Sequence, residues 1–234
     1  MKILIISDIH SNIHALESIW ANEGDSDQVY CVGDLVDYGP YPKEVLDWAR
    51  AHDMRSVQGN HDAWVSKRYR GGREQNNIAT EDRTWAEHNI SLLDDDDIAY
   101  LEQLPETLTF SADGFDYALT HIFDKYREIK SLDQFETFRR ERFDGASFTR
   151  LLLGHTHRQA IRYLSDELLW VNPGSGSYRR RDDPDQTAHY ATITDGALSL
   201  HRVAYDHRVL FDVAQCLKLN ENEQKHDWSW AARG

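Results

Sequence analysis

The chain of 234 residues has little cysteine, and its two cysteines do not form a recognisable pair. Cys31 and Cys216 are far apart and outside any CxxC motif, which argues against a disulfide framework or a structural zinc site. Cys31 falls in an apolar run and is predicted to be a buried small hydrophobe. Any metal ion in this protein is therefore expected to have oxygen and nitrogen ligands.

The sequence also lacks long hydrophobic runs. No apolar stretch approaches the roughly 20 residues that are needed to cross a bilayer, so no membrane association is expected. The amino-terminal run of residues 1–6 leads directly into Ser7 and Asp8 without a small-residue cleavage site. This pattern predicts a first strand rather than a signal peptide, and a cytoplasmic location is the resulting expectation.

Basic residues are scarce relative to acidic ones. The 26 lysines and arginines against 40 aspartates and glutamates give a formal net charge of −14. Proteins that bind nucleic acid usually present a basic face, so stable nucleic-acid binding and DNA nuclease activity are not expected. Small phosphate-containing substrates stay compatible with this acidity, because bound divalent cations can reverse the charge of a site locally.

Several short apolar runs each end in a polar residue of a type that binds metals. These residues are Asp8 and His10, Asp34, Asn60 and His61, His121, and His155 and His157. The first runs alternate with the helical patterns HALESIWANEG and PKEVLDWARAH, which predicts right-handed crossovers and a largely parallel sheet. Ligands bind beyond the carboxyl ends of the strands in such sheets, and these polar residues fall at those ends.

Residues 62–105 are predicted to form a mainly helical insertion. Within it, the acidic run 94–97 indicates a helix start, since a calcium loop would need spaced ligands and a central glycine. The later segments are predicted to be antiparallel hairpins with turns at Asp113-Gly114 and Asp195-Gly196. No internal repeat, low-complexity segment or linker interrupts the chain, which predicts one domain over residues 1–234.

The polar residues at the strand ends include seven candidate metal ligands. They are Asp8, His10, Asp34, Asn60, His121, His155 and His157. Seven donors are too many for one tetrahedral ion and suit two ions roughly 3.5–4 Å apart that share a bridging carboxylate. Extended backbone would place His155 and His157 on the same side. Mixed carboxylate, imidazole and amide donors favour manganese, iron, zinc or a similar ion over calcium.

These motifs resemble the signature of the calcineurin-like metallophosphoesterases. The signature D-x-H, G-D, G-N-H-D/E, H and G-H-x-H occurs as Asp8-Ile9-His10, Gly33-Asp34, Gly59-Asn60-His61-Asp62, His121 and Gly154-His155-Thr156-His157. The stretches SDIHSNIHAL, GDLVDYGPYP and NPGSG resemble the small, single-domain prokaryotic phosphodiesterase branch. The resemblance extends from Met1 to about Asp206. It implies an α/β fold in which a two-sheet β-sandwich is flanked by helices, in four αββα layers, with the helical insertion around residues 62–105.

The resemblance also divides the ligands between two divalent metal ions. One ion would be bound by Asp8, His10, Asp34 and His157, and the other by Asp34, Asn60, His121 and His155, so that Asp34 bridges. Manganese is the expected metal, with iron, zinc, nickel and cobalt as alternatives. A hydroxide between the ions would attack phosphorus in line with the leaving oxygen.

Two further residues are the predicted catalytic pair. His61 would stabilise the transition state or protonate the leaving group. Asp37 would orient His61, although it could also be an ordinary loop aspartate. Two positions depart from relatives: Ile122 follows His121 where the family usually has glycine, and Tyr38 stands where the protein Ser/Thr phosphatases have arginine. The second departure argues against protein phosphatase activity.

Three residues are candidates for contacting the substrate. Asn12 lies in the loop after His10, and Arg180 and Arg181 follow a Gly/Ser turn. Guanidinium groups suit bidentate binding of phosphate, but these arginines could equally pair with acidic residues of the same loop.

The expected function is hydrolysis of phosphodiester bonds in small or nucleotide-like substrates by a dinuclear, metal-dependent phosphoesterase. Alternatives within the same chemistry are cleavage of dinucleoside polyphosphates and removal of a phosphomonoester. An alternative of another class is a non-catalytic scaffold that keeps this fold for protein interactions. A homo-oligomer is possible, since the tail HDWSWAARG carries two tryptophans that could pack in a subunit contact.

Overall fold

Two sheets form the centre of the protein. The structure, a computed structural model, describes residues 1–72, 84–177, 186–217, 219–220 and 223. Sheet one has the strand order β10-β9-β1-β2-β3 and consists of β1 (Lys2–Ile6), β2 (Gln28–Cys31), β3 (Arg55–Ser56), β9 (Ala188–Thr194) and β10 (Ala197–Val203). Sheet two has the order β4-β5-β6-β8-β7 and consists of β4 (Thr107–Ala112), β5 (Phe115–Thr120), β6 (Arg150–Leu153), β7 (Gln159–Tyr163) and β8 (Leu169–Pro173).

Helices lie on the outer faces of both sheets. In the described ranges they are α1 (Ile13–Glu23), α2 (Pro42–Ala51), α3 (Asn60–Arg70), α4 (Trp85–Leu92), α5 (Asp95–Gln103), α6 (Leu132–Arg142) and α7 (Arg208–Cys216). None of them is long and apolar enough to cross a membrane. The sequence patterns predicted α1, α2 and the insertion helices, whereas α6 and α7 were not predicted.

The alternation of side chains along β1 explains the layers. Ile3 and Ile5 point into the core between the two sheets, whereas Leu4 and Ile6 pack against the helices outside sheet one. On the far side, residues of β6 and β8 pack against Phe135 of α6. A strand that is buried on both faces has a continuous run of apolar residues in its sequence, as residues 3–6 do. The four-layer αββα fold is therefore confirmed.

The prediction of a largely parallel sheet is correct only for part of each sheet. β1, β2 and β3 run parallel, and so do β5, β6 and β8. β9 pairs antiparallel with β1 in sheet one, and β4 with β5 and β7 with β8 pair antiparallel in sheet two, so both sheets are mixed. The predicted turns at residues 113–114 and 195–196 are confirmed, and all four of their residues have positive φ, as two-residue hairpin turns require.

The acidic run in the helical insertion begins a helix. Asp94 caps α5 by accepting a hydrogen bond from the backbone N–H of Asp97, and Asp97 in turn pairs with Lys43 and Arg50. The predicted helix start is confirmed, and the prediction that Cys31 is buried is confirmed as well. That residues 1–234 form one domain stays a prediction.

Candidate active site

Loops at the ends of strands from both sheets carry the predicted ligands. Asp8 and His10 follow β1, and Asp34 follows β2, all from sheet one. The histidines of sheet two follow β5 and β6, and Asn60 is the first residue of α3. The structure brings all seven predicted ligands together at one end of the sandwich, where the two sheets meet.

Left-handed backbone shapes these loops, and this corrects one prediction from the sequence. Asp8, His10, Asp34, His155 and His157 all have φ between 47° and 66°, so none of them lies in extended backbone. The period-2 argument for His155 and His157 is therefore wrong: the two side chains reach two different groups of ligands. Non-glycine residues in this left-handed region are strained, and outside tight turns they cluster at functional sites, where the surroundings hold them.

The first cluster contains Asp8, His10 and His157. Nε2 of His157 lies 3.1 Å from Oδ1 of Asp8 and 3.3 Å from Nε2 of His10. Nδ1 of His10 lies 3.3 Å from the carbonyl oxygen of Val36, which leaves Nε2 to act as a ligand atom. The ligand atoms of the cluster lie within 4.8 Å of one another, which suits coordination of a metal ion.

The second cluster contains Asp34, His121 and His155, together with Asn60. Nε2 of His121 lies 3.0 Å from Oδ2 of Asp34 and 3.1 Å from Oδ1 of Asn60, and Nδ1 of His155 lies 2.9 Å from the same Asn60 oxygen. Nδ1 of His121 lies 2.6 Å from the carbonyl oxygen of Val32, which orients the ring. His121 occupies this place even though Ile122 follows it.

Asp34 lies between the two clusters. Its Oδ2 is 3.0 Å from His121 in the second cluster and 3.9 Å from Nε2 of His10 in the first. Apart from its ion pair with His121, this buried oxygen has no hydrogen-bond partner, although its neighbour Oδ1 accepts a hydrogen bond from the backbone N–H of His61. A buried carboxylate oxygen without a hydrogen bond is unusual, and a bound cation would satisfy it.

The pKa values of the site reflect burial and the close spacing of charges. Burial lowers the pKa of His10 to about 3, and burial together with the charge of His121 lowers the pKa of His155 to about 4. Both imidazoles are therefore neutral at physiological pH, which is the form that binds metals. Burial opposes the charged form of His121, but Asp34 outweighs it and raises the pKa of His121 to about 10.

His61 and Asp37 form a pair beside the clusters. Nδ1 of His61 lies 2.6 Å from Oδ2 of Asp37, and the His61 ring is 5.0 Å from the ring of His10. Burial opposes protonation of His61, but the charges of Asp34 and Asp37 outweigh it and raise the pKa of His61 to about 9. The structure thus brings the two residues of the predicted catalytic pair into direct contact.

Asp62 organises the Asp34 loop, a role that was not predicted from the sequence. Its buried carboxylate accepts hydrogen bonds from the backbone N–H groups of Asp34, Leu35, Val36 and Gly59 at 2.8–3.2 Å. The position of Asp62 in the motif G-N-H-D was the feature of the sequence that could have indicated this role. Gly59 must be a glycine because a Cβ there would lie 2.8 Å from Cγ of Asp34, and closer still to its N and Oδ1.

Of the three residues predicted to contact the substrate, Asn12 lies within the described part of the chain. Asn12 is fully buried: its Oδ1 caps α1, and its Nδ2 donates to Oγ of Ser177. Both polar atoms of the side chain thus have a partner within the protein, and a contact between Asn12 and substrate stays a prediction. Arg180 and Arg181 lie outside the described residues. The NPGSG stretch before them supports the Asp8 loop, because Ser175 donates to the Asp8 carbonyl oxygen.

Comparison with known proteins agrees with this geometry. A family model described as the calcineurin-like phosphoesterase superfamily domain matches residues 1–196. The chain belongs to this superfamily. Among calcineurin-like relatives with a solved structure, a metallophosphoesterase from Sphaerobacter thermophilus superposes with a TM-score of 0.73 and 25% identity, and the match covers 97% of this chain and 98% of that one.

Two relatives by sequence add different information. The uncharacterized protein MJ0912 of Methanocaldococcus jannaschii is 27% identical in an alignment 227 residues long, gaps included, that covers 87% of this chain and 88% of that protein. A symmetrical bis(5'-nucleosyl)-tetraphosphatase of Erwinia tasmaniensis is 36% identical in an alignment 104 residues long, gaps included, that covers 42% of this chain and 35% of that protein. Membership of the calcineurin-like phosphoesterase superfamily supports a hydrolase that acts on phosphoester bonds.

Proposed function

We propose that the protein is a metal-dependent phosphoesterase that hydrolyses phosphodiester bonds in small or nucleotide-like substrates. The observation that carries this proposal is the position of Asp34. Its carboxylate lies between two clusters of ligands, and the His61–Asp37 pair lies next to them.

The residues present fit two divalent ions. Asp8, His10 and His157 would hold one ion, and Asn60, His121 and His155 would hold the other, with Asp34 shared. Oδ2 of Asp34 is buried between His121 and His10, at 3.0 Å and 3.9 Å, and apart from these imidazoles it has no hydrogen-bond partner, so a shared cation would suit this atom. When bound, two such ions acidify water and neutralise charge on a phosphoryl group. The mixture of imidazole, amide and carboxylate donors favours manganese, iron, zinc or a similar ion over calcium, and manganese is our first choice among them.

His61 supplies the proton chemistry in this proposal. Its Nδ1 contacts Asp37, which leaves Nε2 as the nitrogen that can donate to the leaving oxygen. Despite burial of the ring, Asp34 and Asp37 raise the pKa of His61 to about 9 in the metal-free protein, and the contact with Asp37 would still favour the protonated ring, which a general acid needs, when Asp34 binds metal ions. Asp37 holds the ring in place and stabilises its positive charge.

Dinucleoside polyphosphates are a second candidate substrate class. The support is the match over 104 residues to the symmetrical bis(5'-nucleosyl)-tetraphosphatase, which includes neither the whole of this chain nor the whole of that protein. Such a substrate presents a phosphoric anhydride instead of an ester, and the same residues could cleave it.

The test is hydrolysis by metal-stripped protein to which Mn²⁺ is added back. The substrates are bis(p-nitrophenyl) phosphate, p-nitrophenyl phosphate and diadenosine tetraphosphate, and Asp34→Asn is the control variant. We expect turnover that depends on Mn²⁺, is faster with the diester than with the monoester, and is lost in Asp34→Asn. Preference for the tetraphosphate would select the second substrate class. Protein that binds no Mn²⁺ would contradict the proposal and favour the non-catalytic scaffold.

A further inference from the structure

The loop of residues 37–41 lies directly against the first cluster of ligands, which contains His10. Asp37 and Tyr38 have φ of 72° and 56°, so the chain turns sharply at the residue that contacts His61. Gly39 presses against the preceding loop: a Cβ there would lie 3.0 Å from the carbonyl oxygen of Ser11 and closer still to that of His10. Strained backbone of this kind keeps its shape only if its surroundings hold it.

Asn89 of α4 provides that support. The residue is fully buried, and its carboxamide makes four hydrogen bonds. Oδ1 accepts from the backbone N–H of Asp37 at 2.9 Å and from Oγ of Ser11 at 2.6 Å. Nδ2 donates to the carbonyl oxygens of Gly39 at 2.9 Å and Trp85 at 3.1 Å. One side chain therefore binds both sides of the strained turn and also the loop that carries His10.

We propose that Asn89 is a positioning residue for His61 and acts through Asp37, an inference that rests on the proposed role of His61 in phosphoester hydrolysis. None of the four hydrogen bonds of the Asn89 side chain goes to a ligand side chain or to His61. It holds the Asp37 backbone N–H, and this fixes the direction from which the Asp37 carboxylate meets Nδ1 of His61, at 2.6 Å. A charged partner that is free to turn would orient the imidazole poorly, because efficient proton transfer requires close alignment with the leaving oxygen.

The inference gives the helical insertion a part in catalysis. α4 belongs to the insertion, and its His88 also reaches the same loop, with Nε2 3.1 Å from the carbonyl oxygen of Pro40. α4 thus contributes to the active site indirectly, through the loop of residues 37–41.

The test compares Asn89→Ala, Asp37→Asn and the double variant, with Ser91→Ala as the matched control. Ser91 lies on the same helix, is exposed, and bonds within the helix to the carbonyl oxygen of His88. Steady-state kinetics with bis(p-nitrophenyl) phosphate and bound Mn²⁺ are measured for each. We expect Asn89→Ala to lower kcat by about 10- to 100-fold, as small misplacements of catalytic groups do, with KM and bound Mn²⁺ unchanged.

The double variant separates positioning from a general structural role. If Asn89 acts through Asp37, Asn89→Ala will lower kcat by less than about twofold in the Asp37→Asn background, because coupled residues are not additive. Full additivity, or an unchanged kcat in Asn89→Ala, would overturn the inference. If Asn89→Ala does not fold, Asn89→Ser replaces it in the same cycle under the same two criteria.

A second readout needs no turnover, so the inference can fail separately from the proposed function. The proton on Nδ1 of His61 should give a low-field NMR signal because its bond to Asp37 is short. The signal should shift or disappear in Asn89→Ala and stay in place in Ser91→Ala. An unmoved signal in Asn89→Ala would overturn the inference even in a protein without activity, whereas absence of Mn²⁺-dependent turnover in the wild type would contradict only the proposed function.

Discussion

Replacing Gly59 by alanine should damage the metal site by adding a single methyl group. Gly59 has φ of −87°, so alanine meets no backbone strain there, and the effect is purely steric. The new Cβ would lie 2.8 Å from Cγ of Asp34 and closer still to the Asp34 N and Oδ1 atoms. Because one of these is a backbone atom, no side-chain rotation relieves the clash, and Asp34 must move by about 1 Å to reach ordinary contact.

The magnitude follows from two opposing effects. Overpacking of this kind costs typically about 1–3 kcal/mol of folding free energy. Alanine also lowers the entropy of the unfolded chain, which stabilises the protein by about 0.4–1 kcal/mol. The clash is the larger effect, so we expect a net loss of about 1–2 kcal/mol in the metal-free protein. A shift of about 1 Å at the shared ligand should also lower kcat/KM by about 10²-fold.

Gly71→Ala is the matched control, because Gly71 ends the same helix, α3, with φ of −68° and no contact to a new Cβ closer than 3.4 Å. Only the entropic gain applies there, so its stability should equal or exceed that of the wild type. The assays are urea unfolding of the metal-free proteins, Mn²⁺ titration by calorimetry, and diester hydrolysis. Two tightly bound Mn²⁺ ions and wild-type kcat/KM in Gly59→Ala would refute the reasoning.

Three further predictions concern the same site. His157→Ala and His155→Ala should each bind one Mn²⁺ ion instead of two, because the two imidazoles belong to separate clusters. Mn²⁺ titration followed by elemental analysis measures this, and loss of both ions in each variant would contradict the division into two clusters. The pKa of His61 is raised, so its contribution to stability is complete below about pH 6.5, its ordinary pKa, and is lost as the pH rises through about 9. Urea unfolding of the metal-free protein should therefore show a free energy of unfolding that falls over this pH range, and the fall should be shallower in His61→Gln. Equal falls in the wild type and in His61→Gln would count against this prediction. Trp64 is 42% exposed and its ring lies 6.5 Å from that of His61, so the aryl leaving group of a substrate could stack on it. Trp64→Ala should then lower kcat/KM about 5- to 30-fold for aryl diesters but not for methyl diesters, and an equal loss for both would refute the stacking.

The part of the fold predicted from the sequence is the part that local patterns specify. Apolar runs such as residues 3–6 predicted the buried strands, and the turns at 113–114 and 195–196 predicted two hairpins, because these signals depend on neighbouring residues only. The pairing of β9 with β1 joins segments more than 180 residues apart, and no local pattern announces it. The mixed character of sheet one therefore appeared only in the structure.

In the candidate site, too, the features that local sequence patterns specify were predicted, and those that distant contacts impose were not. All seven predicted ligands meet at one place, since strand ends at one edge of a sheet are brought together by topology alone. The left-handed backbone at His155 and His157 was not predicted, because side-chain type favours it only weakly and the surrounding contacts impose it. Asn89 carried no signal at all: an asparagine within a helical segment is unremarkable until the loop that it holds is known.

The antiparallel pairing of β9 with β1 has a consequence for the order in which the protein is made. β1 is synthesised before the other four strands of sheet one and lies in the middle of that sheet, yet one of its edges has no partner until residues 188–194 exist. His157 is synthesised before that point, so the ligand set is complete while the sheet beneath it is still open. An unpaired edge on a growing chain invites pairing with other chains, and non-local closure of this kind is slow. Nascent chains of this protein should therefore pass through a long, aggregation-prone interval before β9 closes the sheet.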